Sequence, residues 1–239
     1  MKEQADTSKI VVWGGYLALT LLLALVLSVF SVRAGMWQQG LVLYALCCVG
    51  AAALLAAFAI CMALPGFSAW RRQLAMRSLV VLPGTLLFAS LLMTRGDYPV
   101  IHDITTDVVN PPEFTQALKI RDKSANSLEL NADTIQLQTG AYPDLKTSHS
   151  TLGFKEAFTR ATAVAENLGW EITLSDPEAG LIEAVATTTV MAFRDDIVIR
   201  LRSTEDGTLI DLRSASRVGQ SDLGANAKRI REFMRRYKS

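Results

Sequence analysis

"DDIVIRLRSTEDGTLIDLRSAS", Asp195–Ser216, is the stretch that decides the fold of the second half of this chain. Apolar and polar residues alternate on both sides of "STEDG". Ile197, Ile199 and Leu201 fall on one side of the first run, and Ile210 and Leu212 match them on the second. Arg200, Arg202, Asp211 and Arg213 fall on the other side. A period of two is the mark of a half-buried strand, and a short glycine-bearing break joins two such runs as an antiparallel hairpin. The apolar side has to be covered by other elements. The arginine-bearing side is expected to face water or a partner.

Working outward, Leu181–Thr189 and Trp170–Leu174 read as two further strands joined by "SDPEAG", so the expected strands are Trp170–Leu174, Leu181–Thr189, Ile197–Arg202 and Leu209–Ser216. Before them, Leu152–Leu168 has helical spacing, with Phe154, Ala157, Phe158, Ala161, Ala165 and Leu168 on one face and Gly169 to close it. After them, Ser221 is the expected N-cap of a helix from Asp222 to about Lys238, with Leu223, Ala227, Ile230, Met234 and Tyr237 as its apolar stripe. Helix, four strands, helix is an α+β pattern: an antiparallel sheet of about four strands with two flanking helices on one face. Gly96–Pro112 holds three prolines and reads as an extended linker, so the domain proper is expected over 113–239. Glu113–Ser150 is polar and irregular, and "SLELNADTIQLQ" alternates in places as a short strand would.

The first 95 residues are of another kind. Net charge over the whole chain is only +1, which selects no nucleic-acid partner. Residues 1–95, however, hold seven Lys/Arg and two Asp/Glu, and residues 96–239 hold the other 17 and 21. Ile10–Val32, Leu41–Leu64 and Ser78–Thr94 run 23, 24 and 17 residues without a charge, the last containing Pro83. About 20 apolar residues cross a bilayer, so a multi-pass, three-helix membrane anchor over 1–95 is expected. Trp13, Trp37 and Trp70 fall at the span ends, where amphipathic rings prefer to sit. Lys2, Lys9, Arg71, Arg72 and Arg77 would lie on one side and Arg33 and Arg95 on the other, which puts the N-terminus in the cytoplasm and the domain outside it. No ionisable residue lies inside these three stretches, which disfavours transport chemistry. "GAAALLAAFA" offers Ala52/Ala56 and Ala53/Ala57 for close helix packing. Cys47, Cys48 and Cys61 all lie in the second stretch, so the domain stands without disulfides.

"IHDITTD", "PPEF", "AYPDL", "GW", "IEA", "DDIVIRL" and the long "DLRSASRVGQSDLGANAKRIREF" resemble the bacterial family catalogued as domain of unknown function 1499, over most of residues 100–237. The resemblance implies an envelope or membrane-attached protein. It implies no activity, ligand or catalytic residue that can be carried over.

Chemistry has few places to sit. "GQSDLG" after a strand and before a helix resembles a nucleophile elbow, but it has one residue too many between Ser221 and Gly224. His102 and His149 both precede the serine. Gly219 and Gly224 have P-loop spacing, yet Ala225 and Asn226 stand where lysine and Ser/Thr must be. A helix N-terminus near Arg213, Arg217 and Arg229 suits a phosphate or carboxylate, unless Asp222 already satisfies its N–H groups. Asp195 and Asp196 adjoin on a strand and point to opposite faces.

The last helix carries Lys228, Arg229, Arg231, Arg235, Arg236 and Lys238 against Glu232, which suits an anionic surface or intramolecular pairing. The leading expectation is a non-enzymatic, membrane-anchored envelope protein that binds through Arg200, Arg202, Arg213, Arg217 and Arg229. The alternative is a small hydrolase with Asp196, Ser221 and Asp222 in its site. The expected partners are the bilayer, an anionic lipid or envelope protein, and a second copy of the chain. No cofactor, metal or nucleic acid is expected.

Overall fold

The computed structural model describes residues 9–93, 96 and 98–239, and the chain divides into two compact units, Met1–Arg95 and Gly96–Ser239. In the first unit, α1 is Lys9–Arg33 and α2 is Trp37–Ala63. A 3-10 turn, Pro65–Trp70, leads into α3, Arg71–Met93. All three are long and apolar enough to cross a membrane.

Glycines let these helices approach closely. Gly14 packs under Phe58, Gly40 under Val32, and Gly84 against Ala51. Of the expected alanine pairs, Ala53, Ala56 and Ala57 are exposed and Ala52 is half-buried; the alanine that meets Gly84 is the buried Ala51.

The third helix begins seven residues before the expected Ser78, because Arg71, Gln73, Met76 and Arg77 are all good helix formers. Arg77, expected at the end of the third apolar stretch, therefore lies within α3. Its guanidinium packs over Gly15 and donates to the Val11 carbonyl of α1. Thr94, Arg95 and Lys2, used in the sequence reading, lie outside the described residues.

The second unit is a six-stranded, wholly antiparallel sheet. Its strands are β1 (Asp103–Thr105), β2 (Ser148–Ser150), β3 (Glu171–Asp176), β4 (Leu181–Thr187), β5 (Arg194–Thr204) and β6 (Gly207–Ser216). The order is β1-β6-β5-β4-β3, and β2 shares the outer edge of β6 with β1, pairing residues 208–210 where β1 pairs 213–215. The deciding hairpin closes more tightly than its composition suggested. Glu205 and Asp206 form the turn, and β5 and β6 stay in register from Asp195↔Ser216 to Thr204↔Gly207.

Two strands were unforeseen. Each has three residues, too few to show a period, and each adds to β6 only in three dimensions. Asp103–Thr105 lies inside the segment expected to be a linker, and Ile101 and Ile104 are buried in the core. In the irregular stretch, "NADTIQLQTGA" forms a helix rather than a strand: α5, Ala132–Ala141, capped by the Asn131 side chain, which accepts from Thr134 N–H.

One face of the sheet is covered by α6 (Phe154–Asn167) and α7 (Ala225–Lys238). Ile182, Ile197, Ile199, Ile210 and Leu212 meet Ala157, Ala161, Ala165, Ile230 and Phe233 there. Trp170 stacks on Phe233 at 5.6 Å and belongs to this core. Gly169, at φ +75, ends α6, and its successor Trp170 donates back to the Ala165 carbonyl.

The opposite face is covered as well. Phe114 and Ala117, from the one-turn helix α4 (Ala117–Ile120) and the residues before it, pack with Leu128 on Val198 and Ala215. The face expected to meet water or a partner is thus roofed in part by residues 112–128, over Val198, Ala215 and Arg213, while the Arg202 side chain stays 40% exposed.

Candidate functional site

Under that roof the polar side chains of β4, β5 and β6 must be paired, because burying an unpartnered charge is costly. Glu183 accepts from the backbone N–H groups of Thr115, Gln116 and Ala117 and from the Thr115 hydroxyl, all at 2.6–2.8 Å. Asp196 holds two guanidinium groups, Arg217 through two bonds at 2.7 and 3.0 Å and Arg121 at 3.2 Å. Arg213 forms a fork with Asp103 at 2.8–3.3 Å and also donates to the carbonyls of Pro112 and Leu128. Arg200 and Arg202 share Asp211 and Asp107, with closest contacts of 3.0 and 2.7 Å to Asp211. On the helix face, Arg229 pairs with Asp195 at 2.5 Å. All five arginines put forward from the sequence are therefore committed to aspartates. Burial draws the Arg121 guanidinium below its ordinary pKa, and Asp196 opposes that shift.

The loop between β6 and α7 is a cap. Asp222 accepts from the N–H groups of Gly224 and Asn226, both at 2.8 Å, and α7 starts at Ala225 rather than at Asp222. Ser221 takes another part: its hydroxyl donates to the Pro99 carbonyl at 3.2 Å and accepts from Leu223 N–H. Leu223 precedes the helix and is exposed. The real stripe is Asn226, Ala227, Ile230, Phe233 and Tyr237, with Met234 half-buried. Among the described residues no hydrogen bond joins any two of Asp196, Ser221 and Asp222.

Sequence reasoning missed Asn226. It is fully buried; its carbonyl oxygen accepts from the Ser214 hydroxyl and from Arg229, and its NH2 donates to the His102 carbonyl and the Ser216 hydroxyl. The available signal was a polar side chain beside Ala227 and one turn before Ile230, on the buried face. Asp103 and Arg121, equally deep in the network, sit in irregular segments that carry no such periodicity.

Cations that remain accessible gather elsewhere. A groove of about 370 Å³ runs between the C-terminal half of α7 and Asp144–Ser148. Leu145, Ile230 and Met234 supply its apolar lining, and Lys146, Arg231, Arg235 and Lys238 line it with charge. Arg231 is clasped by Asp144 at 2.6–2.7 Å, and that hydrogen bond holds the Asp144 carboxyl below its usual range. Arg235 and Arg236 both bind Glu232, which is lowered to about 2, chiefly by its hydrogen bond from Arg235. Lys146 and Lys238 have no ion-pair partner among the described residues. Groups of three or more His, Cys, Asp or Glu arranged to hold a metal are absent from the described residues.

A roofed antiparallel sheet with an internal ion-pair network defines an α+β domain, in a chain that also carries three helices long and apolar enough to cross a membrane. The family model described as "Protein of unknown function (DUF1499)" matches residues 103–236, from the first residue of β1 into the last turn of α7, and the chain belongs to that family. No curated protein matches the chain.

Proposed function

We propose that this is an envelope protein anchored by three membrane helices, with its N-terminus in the cytoplasm and the sheet domain outside it, and that the domain binds an anionic envelope component. Lys9, Arg71, Arg72 and Arg77 on one side of the helices against Arg33 on the other support that orientation.

One observation carries the binding reading: the groove beside α7, where four basic side chains surround an apolar lining with Asp144 as the one carboxylate. Lysines without a partner at its edge keep their charge for a ligand. Arg200, Arg202, Arg213, Arg217 and Arg229 do not, because each already holds an aspartate. A groove of about 370 Å³ lies within the roughly 300–1,000 Å³ of small-ligand sites, and its charge suits a phosphate- or carboxylate-bearing group.

Purification of the full chain in mild detergent, followed by mass spectrometry of what accompanies it, tests this. Anionic lipid or polymer should accompany the native chain and be depleted from a Lys146→Glu/Lys238→Glu variant. Equal recovery from both would remove the groove from the account.

A further inference from the structure

The end of the sheet domain where α7 begins carries an apolar surface that the basic groove does not use. Tyr98, Val100, Leu137 and Leu223 are 42, 67, 48 and 70% exposed. Local contacts tie them together. The Tyr98 ring packs on Gly224, the Ser221 hydroxyl donates to the Pro99 carbonyl, and Asp222 N–H donates to the Ile101 carbonyl at 3.0 Å. Tyr98, Pro99, Leu137 and Ala141 line one open groove of about 700 Å³ along α5. Leu223 displays its side chain from a backbone at φ +51, a conformation in which asparagine or glycine would be less strained.

Covalent geometry limits where this surface can go. Tyr98 follows Met93, the last residue of α3, by five residue steps. At about 3.6 Å per fully extended residue, Tyr98 stays within roughly 18 Å of the end of the third helix, whatever course the chain takes. An apolar, exposed surface held that close to a membrane has a lipid interface within reach.

We propose that this end of the domain docks on the surface of the bilayer crossed by the three helices. Leu223, Val100 and Leu137 enter the acyl boundary, and the Tyr98 ring sits at headgroup level, where amphipathic aromatics collect. Asp133 and no Lys or Arg lines the groove here, so the attachment is apolar and indifferent to lipid charge and salt. In both respects it differs from the basic groove. That groove lies toward the other end of α7, whose 14 residues span about 21 Å.

The test uses the full chain with the photoreactive residue p-benzoylphenylalanine placed singly at position 223, 137 or 238, reconstituted into phosphatidylcholine vesicles and irradiated. Positions 223 and 137 should form lipid adducts several-fold more often than 238, equally at low and high salt. Equal yields at the three positions, or adducts at 223 to protein instead of lipid, would overturn the proposal. Because the vesicles are zwitterionic, the outcome is independent of whether Lys146 and Lys238 bind an anion.

Discussion

Asp196 is one carboxylate open to two readings, chemistry and support. In sequence it stands in an acidic pair ahead of a strand. In the fold it is buried between two guanidinium groups and supports the roof over the sheet. Removing one partner from such a cluster leaves buried charge uncompensated, at a cost of about 3–5 kcal/mol. Asp196→Asn is therefore expected to lower the thermal midpoint of the full chain in detergent, and Arg217→Ala and Arg213→Ala should do the same. Ser221→Ala removes two long hydrogen bonds at the surface and should cost about 1 kcal/mol. A catalytic Asp196 would give the reverse pattern, lost cellular function with an unchanged midpoint.

Asn226 makes a sharper case. Its truncation to alanine takes the acceptor of the buried Ser214 hydroxyl and one bond each from the His102 carbonyl, the Ser216 hydroxyl and Arg229, which predicts a loss on the order of 3 kcal/mol in the same measurement. Asp144 is the complementary prediction for binding. Asp144→Asn frees Arg231 and removes the one carboxylate of the groove, so anion retention should rise, by less than about fivefold given the exposure of the pair.

Among the elements, the α7 cap has a pH signature whose sign can be worked out. Desolvation raises the Asp222 carboxyl above its ordinary value, although the N–H groups of Asn226 and Gly224 pull it down. A folded pKa above the unfolded one contributes stability at low pH that is lost as pH rises through the folded value. Asp107 is opposite. Burial pushes it up, but N–H groups from Asn110 and Val109 and the charges of Arg200 and Arg202 win, so its contribution is lost as pH falls through the depressed value.

Asp222→Asn should thus keep one cap acceptor and remove the decline with rising pH just above the ordinary carboxylate range. Asp222→Ala should lose the cap, about 1 kcal/mol. Comparing urea midpoints of the two variants across pH checks the sign. Gly207 is a second element-scale test. At φ +147, a β-carbon there would collide with the Ser150 backbone, so Gly207→Ala should detach β2 from β6 and speed amide exchange at 148–150.

The same elements show what could be read in advance. Long runs with a clear period, the hairpin of β5 and β6 and the face of α6, were legible because burial on one side dictates the pattern. Strands β1 and β2 were not. Three residues carry no period, and their stability comes from an edge of β6 supplied by residues over 55 positions away. The arginines were legible as a face, but the burial of Arg213 was not, because the roof over it is an irregular segment that only its contacts make intelligible. The alternation that placed Arg200, Arg202 and Arg213 together was right about direction and silent about cover.

At the scale of the whole molecule, the two units answer different constraints. Helices α1–α3 are long and apolar enough to cross a membrane and present leucine, valine and other apolar side chains outward, as helices in hydrocarbon do. The sheet domain buries its apolar residues and pairs its charges, as a domain in water does. The proposed role joins them through orientation: binding outside the cytoplasm requires that the three helices deliver Ser239 to the far side. Alkaline phosphatase and green fluorescent protein fused separately after Ser239 measure this most directly. The account predicts an active phosphatase and a dark fluorescent fusion. A fluorescent fusion with an inactive phosphatase would place the domain in the cytoplasm and contradict the envelope role.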